Sequence, residues 1–336
     1  MVIEWAEWRD ADAVTSWNAE LLKLQGHTYY QSYEWGEYRR RHGWTPRRGT
    51  VLSGGRVAAM AQFLVREIRA ARVAIVWLPG GPAGCREQLA LLPVALRERY
   101  RGWLLYIRAN SVRNAWPEYD AALTQQSWRR PRIALGSRFT FQLDLRADSA
   151  VRREALSQNW RHNLARSERR GSQVTQCAGT ALTESAYQVV ADTFERKGLR
   201  PPFQLADLHA LHGAFGPAFI VTVAHDDENR ATAVRGCIRF GDRADDFVSG
   251  ASDRGRRGYD NYAVTWHLIN RAGDQGAATY DLGGADPVTA SGVYTFKRGL
   301  GGRGVDLVGE WEWSNSRVLS WGLNSLIERR PGRLAG

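Results

Sequence analysis

Phe139-Thr140-Phe141-Gln142-Leu143-Asp144-Leu145 alternates apolar and polar side chains with the period of two that a half-buried strand requires, and from about residue 148 to 170 the spacing turns helical. This switch predicts where a second fold begins. Upstream, helices are expected at 10–25 and 31–42, strands at 49–52, 56–63 and 72–78, a helix at 86–100 and a strand at 103–108. Downstream the pattern restarts with a strand at 172–177, helices at 184–196 and 205–215, and strands at 219–224, 231–240 and 246–249. A helix at 261–272 and a short strand at 277–281 follow. Helix and strand alternating in this way predict an α/β (α+β) architecture in each half. The domains are expected at 1–145 and 146–313, with an amphipathic helix at 314–330 packing back on the first.

The composition is that of a folded globular chain, with 336 residues, 43% hydrophobic content and 14 Trp. Apolar runs such as Val73-Ala74-Ile75-Val76-Trp77-Leu78 fall far short of the roughly 18 to 20 residues that span a bilayer. No integral membrane association is expected. The first ten residues carry three acidic groups and no base before Arg9, unlike a signal peptide, so a cytoplasmic protein is expected, and a monomer because two domains would already form their own cleft. Cys85, Cys177 and Cys237 lack C-x-x-C spacing and read as idle thiols. His209-x-x-His212 lacks the companions of a metal site, and no metal or cofactor is expected.

A net charge of +11 predicts attraction to polyanions: nucleic acid, nucleotide-linked substrates or anionic lipid. Only three of the 46 basic residues are lysine, at Lys23, Lys197 and Lys297. A lysine kept in an arginine-writing chain points to a place that wants a compact ammonium. Lys297 lies in Tyr294-Thr295-Phe296-Lys297-Arg298, some ten residues after Tyr280-Asp281-Leu282-Gly283-Gly284.

Several stretches, in this order and spacing, resemble the FemABX family of aminoacyl-tRNA-dependent peptidyltransferases. They are Gln31-Ser32-x-x-Trp35-Gly36 with Arg39 and Gly43-Trp44, then Trp77-Leu78-Pro79-Gly80-Gly81-Pro82, and Arg161 to Gly171. Tyr280 to Gly284 with Phe296-Lys297 completes the set. The resemblance implies two tandem GNAT-like acyltransferase domains, an aminoacyl-tRNA donor, and a peptide-like or nucleotide-linked amine acceptor. The peptide stem of a peptidoglycan precursor and a small peptide-like natural product are both in view. By the same resemblance Lys297 and Phe296 are the catalytic pair. Arg39, Arg108, Asn110, Arg200, Ser249 and Tyr294 fall where relatives bind the acceptor, and Arg161, Arg166, Arg169, Arg170 and Arg298 where tRNA would lie. Three departures stand out. Arg108-Ala109-Asn110-Ser111 replaces an R-x-D-P motif, Ser249 stands where some relatives have Tyr, and the inserted coiled-coil arm is absent.

Attack of an amine on an aminoacyl ester runs downhill, which agrees with the lack of a G-x-x-x-x-G-K-[ST] phosphate loop. Such a reaction needs a positive group where the tetrahedral oxyanion develops, and Lys297 fits. With Asn110 in place of an acid, the proton passes to the leaving ribose hydroxyl, a water, or an acid such as Asp281 or Asp286. The alternative role of Asp281 is to hydrogen-bond the Gly283-Gly284 turn.

Two other readings stay open. One is an acyl-CoA-dependent N-acyltransferase, although Arg254-Gly255-Arg256-Arg257-Gly258-Tyr259-Asp260 departs from the R/Q-x-x-G-x-G/A pyrophosphate turn. The other is a non-catalytic RNA-binding module that stacks bases on Trp35, Tyr38, Trp44 and Trp77.

Overall fold

The protein is described by a computed structural model covering residues 3–6, 11–53, 55–85, 87–176, 184–201, 203–288 and 290–329. Cys177, Pro202 and most of the first ten residues lie outside the described residues.

The chain forms two compact units. In the first, Met1–Arg138 with Asp306–Leu334, the elements are β1 (Ile3–Ala6), α1 (Ala11–Leu22), α2 (Tyr33–Arg40), β2 (Thr45–Ser53), β3 (Arg56–Ile68), β4 (Val73–Pro79), β5 (Ala83–Gly84), α3 (Gln88–Arg99), β6 (Leu104–Asn114) and α4 (Pro117–Gln125). The second, centred on Phe139–Val305, holds β7 (Phe139–Asp144), α5 (Ser149–Ala155), α6 (Gln158–Arg169), β8 (Gln173–Gln176), α7 (Glu184–Glu195), α8 (Leu205–Phe215), β9 (Phe219–His225), β10 (Ala231–Phe240), β11 (Arg243–Ala251), α9 (Asp253–Gly258), α10 (Asp260–Asp274), β12 (Thr279–Gly284) and α11 (Ser291–Arg298). β13 (Arg303–Ser314) and α12 (Arg317–Arg329) end the described chain.

The two sheets repeat one plan. In the first, β1 to β4 form an antiparallel meander, α3 crosses over, β6 returns parallel to β4, and β13 pairs antiparallel with β6. In the second, β8 to β11 are the meander, α9 and α10 cross over, β12 returns parallel to β11, and β7 pairs antiparallel with β12. Crossover helices make this return possible, since a parallel strand cannot follow a tight hairpin.

The boundaries therefore differ from those read in the sequence. β7 joins the second unit, with Leu143 opposite Tyr280, while most of β13 joins the first, with Trp311 opposite Ala109. Alternation along a strand fixes its faces, but its sheet is decided by a distant partner. β13 itself, α4 and α9 were not anticipated.

The helix expected over 148–170 is two helices. Leu156 is extended (φ −60°, ψ 143°), and Ser157 caps the new helix by accepting from Trp160 N at 3.3 Å. Ser157 N meanwhile donates to Gly299 O at 2.8 Å, so the break seats the start of α6 against the end of α11.

β9 and nearly all of β10 are buried on both faces, as continuous apolar runs such as Phe219-Ile220-Val221-Thr222-Val223 require. α7 approaches closely enough that a Cβ on Gly250 would lie 2.8 Å from Val190 Cα. Thr222 Oγ1 donates to Val264 O on α10 at 3.0 Å. The core behind the site joins Phe141, Leu143, Trp160, Leu268, Tyr280 and Leu282.

Candidate active site

β11 and β12 run parallel from Arg243–Asp245 and Thr279–Asp281, after which no paired residues continue between them. Local chemistry turns β12 away. Asp281 Oδ1 accepts from Gly283 N at 2.9 Å and Thr140 Oγ1 at 2.6 Å, and Gly283 takes a left-handed φ of +69° that favours glycine. Asp281 Oδ2 accepts from Arg243 at 2.8 Å and Gln142 at 3.1 Å, which saturates this carboxylate with structural donors.

A cavity of about 1160 Å³ opens beside this divergence, entirely within the second unit, lined among others by Trp160, Arg235, Asp246, Ser249, Phe296 and Lys297. α11 delivers Lys297 to its wall. The side chain is 8% exposed, and Nζ donates to Gly283 O at 3.1 Å and Gly284 O at 2.8 Å. Two of the three ammonium N–H groups are thereby committed, and the third is the one a reacting oxygen can use. Burial lowers the Lys297 pKa to about 8; Asp246 and Asp281 pull it up, while Arg235 and Lys197 push it down.

The neighbouring charges form a lock. Arg235 donates to both oxygens of Asp246 at 2.9 and 3.0 Å, and Tyr280 OH donates to Asp246 Oδ1 at 3.0 Å. Burial works to lower the Arg235 pKa, but Asp246 and Tyr280 together outweigh it and the net shift is upward. The Arg235 guanidinium lies 5.5 Å from the centre of the Phe296 ring. Phe296 packs on Trp160 and Tyr262 at 5.4 and 5.1 Å, and its carbonyl accepts from Trp160 Nε1 at 3.1 Å. The backbone just before Lys297 is thus held by aromatic packing from α6 and α10.

Ser249 also lines this cavity, and so does Arg298, whose guanidinium lies 5.8 Å from the Tyr294 ring. Tyr294 turns the other way, against Phe141 and Phe139 at 5.3 and 6.0 Å. Its place is in the apolar core cluster, because α11 presents 294 and 297 to different surroundings. Arg200 is exposed.

Arg161, Arg166, Arg169 and Arg170 are exposed on or just after α6. Arg166 donates to Tyr259 OH at 2.7 Å and Arg170 to Arg257 O at 3.2 Å, while Arg161 and Arg169 contact Glu154 O and Ala165 O. Arg152 and Arg153, part of the same basic run, are engaged within the unit, by Leu145 O and Asn270 and by Glu168 respectively.

Arg39, Arg108 and Asn110 belong to the first unit. Arg39 is 1% exposed, between the Trp35 and Trp77 rings. Arg108 is committed to a buried ion pair with Glu310 and to Ile133 O. Asn110 stands opposite Glu310 in the β6–β13 register and accepts from Gly80 N at 2.7 Å. Trp35, Tyr38 and Trp44 are buried, and half-buried Trp77 lies tilted beside Trp44 at 5.7 Å. As core residues, Trp35, Tyr38 and Trp44 do not present faces for stacking on bases.

Cys237 is buried, which pushes its thiol pKa upward, and Cys85 donates to Glu87. Among the described residues no group of three or more His, Cys, Asp or Glu side chains is placed to hold a metal ion. None of their helices is long and apolar enough to cross a membrane.

Arg235, Asp246 and Trp160 escaped the sequence reading. The signal was present for the first, an arginine inside the otherwise apolar run Ala231-Thr232-Ala233-Val234-Arg235-Gly236-Cys237-Ile238. A charge in such a run demands a buried counter-charge.

Residues 156–298 match the acetyltransferase (GNAT) domain family. Among solved structures, the chain is similar to FemX, with 14% identity, 98% of this chain and 100% of that chain covered, and a TM-score of 0.77. It is also similar to a tandem GNAT protein from the clavulanic acid biosynthesis pathway, with 14% identity, 94% and 98% covered, and a TM-score of 0.57. L-PGS from Bacillus licheniformis aligns with 15% identity, 97% and 99% coverage, and a TM-score of 0.56. No curated protein sequence matches the chain. The fold is thus the tandem GNAT-like fold, an acyltransferase fold, and the Lys297 cavity lies in the half that the family match covers.

Proposed function

We propose that the protein transfers an aminoacyl group from aminoacyl-tRNA to an acceptor amine on a peptidoglycan precursor peptide or a small peptide-like molecule. The observation that carries this reading is the buried ammonium of Lys297, held by two carbonyls and facing a large cavity beside Phe296. The amine attacks the ester carbonyl, and the C–N bond forms as a tetrahedral oxyanion develops. Lys297 donates to that oxygen or to the departing ribose oxygen. The C–O bond then breaks, and the proton lost by the amine ends on the ribose hydroxyl. Asp281 is saturated by structural donors, so proton transfer through the leaving hydroxyl or a water is favoured over this carboxylate.

Coenzyme A, which a GNAT fold can imply, does not fit the turn where its pyrophosphate would sit. Asp260, the first residue of α10, buries its carboxylate there, accepting from Ser172 and Thr232 at 2.6 Å each. Ser252 Oγ already takes the Gly255 N–H at 3.1 Å. A Cβ on Gly255 would lie 2.1 Å from Thr232 O, so the turn is packed down on β10. Arg254 and Arg256 are paired with Asp226 and Asp253. A buried carboxylate and spent N–H groups repel a diphosphate where a usable helix N-terminus would attract one.

Purified protein incubated with total tRNA charged with labelled amino acids, then with a UDP-muramoyl pentapeptide or a panel of small amines, should form amide product. Pretreatment with RNase should abolish it. Product from acetyl-CoA alone would overturn the reading.

Two further expectations follow from the charges. Single-turnover transfer should decline as pH rises past about 8, where Lys297 loses its proton. A profile flat to pH 10 would separate the rate from this group. The log of tRNA affinity should fall linearly with log salt. Replacing Arg166, Arg169 and Arg170 with Gln should flatten that slope by about 2 to 3 if each meets a phosphate. An unchanged slope would place tRNA elsewhere.

A further inference from the structure

α12 buries two polar side chains beside Ile327 and leaves three large apolar ones exposed. Ser320 and Asn324 face inward and donate to Glu312 at 2.8 and 2.7 Å. Val318, Trp321 and Leu326 face solvent at 80%, 67% and 52% exposure. Ser320, Asn324 and Ile327 already seat the helix, so the exposed apolar side chains are not needed to cover its sheet. Exposed apolar residues scattered singly need no explanation, but three on one helix face, one of them Trp, do.

The charges at its two ends narrow the occupant. Arg317 opens the helix, where the helix dipole disfavours a cation, and Arg329 closes it. The carboxylate of Glu328 is held by Arg132 at 2.8 Å, and Arg132 also donates to Ser325 at 3.1 Å. Cationic ends with an apolar centre, in a chain of net charge +11, complement an anionic lipid surface. A second copy of the chain fits less well. An antiparallel self-pairing would set Arg317 against Arg329, and three apolar side chains supply far less than the roughly 800 Å² per partner of a stable interface.

We infer that the exposed face of α12 docks the protein reversibly on anionic membranes, with Trp321 at headgroup level, Val318 and Leu326 dipping inward and arginines meeting lipid phosphates. This does not depend on the reaction proposed for the Lys297 cavity.

The full chain should co-sediment with phosphatidylcholine vesicles containing phosphatidylglycerol and not with phosphatidylcholine alone, and added salt should weaken binding. Trp321→Ala and Val318→Asp should each reduce partitioning by about tenfold or more, and Arg317→Glu with Arg329→Glu should abolish it. All four positions are solvent-exposed and none lines the cavity, so transfer to a soluble acceptor should be unchanged. The inference is overturned if the wild type fails to bind anionic vesicles, or if Trp321→Ala and Val318→Asp bind as well as it does. It is equally overturned if the lipid-free protein is a dimer that Val318→Asp dissociates, since a second copy would then cover the face.

Discussion

Replacing Lys297 with Met should slow aminoacyl transfer by a hundredfold or more while leaving the protein as stable as before, or more so. Losing one preorganised donor to a developing oxyanion typically costs about 2.7 to 4 kcal/mol of transition-state stabilisation. The stability side follows from the depressed pKa. An unfolded lysine titrates near 10.5 and the folded one near 8, so between those values the unfolded chain binds more protons and stability rises with pH. Below pH 8 the full penalty is present, about 3 kcal/mol from the shift. Met fills the same volume without a charge to desolvate. Against that gain, the carbonyls of Gly283 and Gly284 lose their donor, at about 1 to 3 kcal/mol. The two effects nearly offset, so denaturant midpoints should match or exceed the wild type. A purely structural lysine would behave otherwise: its loss would lower the midpoint and leave the rate of folded enzyme unchanged. Near-full activity in Lys297→Met removes the residue from the mechanism.

Asp246→Ala should be the most destabilising single change at the site, at about 3 to 5 kcal/mol, because it leaves a buried guanidinium uncompensated. Arg235 would lose both of its bonds to the carboxylate and keep its 3.3 Å hydrogen bond to Thr265 Oγ1, and Tyr280 OH would lose its acceptor. The double change Arg235→Met with Asp246→Leu should cost less than Asp246→Ala alone, since buried ion pairs often tolerate joint apolar replacement. Chemical denaturation of the three variants measures this. An Asp246→Ala protein of wild-type stability would show that the pair is solvated in solution. Asp246 also pulls the Lys297 pKa upward. In the milder Asp246→Asn variant the decline in transfer rate should therefore begin at lower pH than in the wild type.

Much of this site was written in local sequence. The lone lysine among arginines, next to Phe296, and the Asp281-x-Gly283 pattern that turns β12 can each be read without coordinates. Asp281 does hydrogen-bond that turn. What local reading missed depends on partners far along the chain. Arg235 and Asp246 belong to neighbouring strands, and only the β10–β11 register, with its shift between Gly236 and Cys237, brings them together. The break in the 148–170 helix is equally nonlocal, since Gly299 accepts from Ser157 and would clash with Trp160 if it carried a Cβ, at 2.8 Å. β13 was overlooked for a third reason. Its alternation is spoiled by near-continuous burial from Leu307 to Trp313, with Glu310 paired to Arg108, and Glu312 paired to Arg129 and hydrogen-bonded by Tyr106, Ser320 and Asn324. Charged residues that read as solvent-facing are in fact core partners.

The acceptor-binding assignments divide in the same way. Ser249 reaches the cavity because its strand continues beyond the point where β12 turns off. Tyr294, one helical turn before Lys297, faces Phe141 instead. The family resemblance placed both near the chemistry, and helix geometry turns Tyr294 away from it.

The most direct test is single-turnover transfer from purified, labelled aminoacyl-tRNA to an accepting amine, followed in parallel for the wild type and Lys297→Met at pH 7. Amide product should form with the wild type, vanish after RNase treatment of the donor, and form at least about a hundredfold more slowly in the variant. Equal rates in the two proteins, or product that survives RNase, would contradict the account.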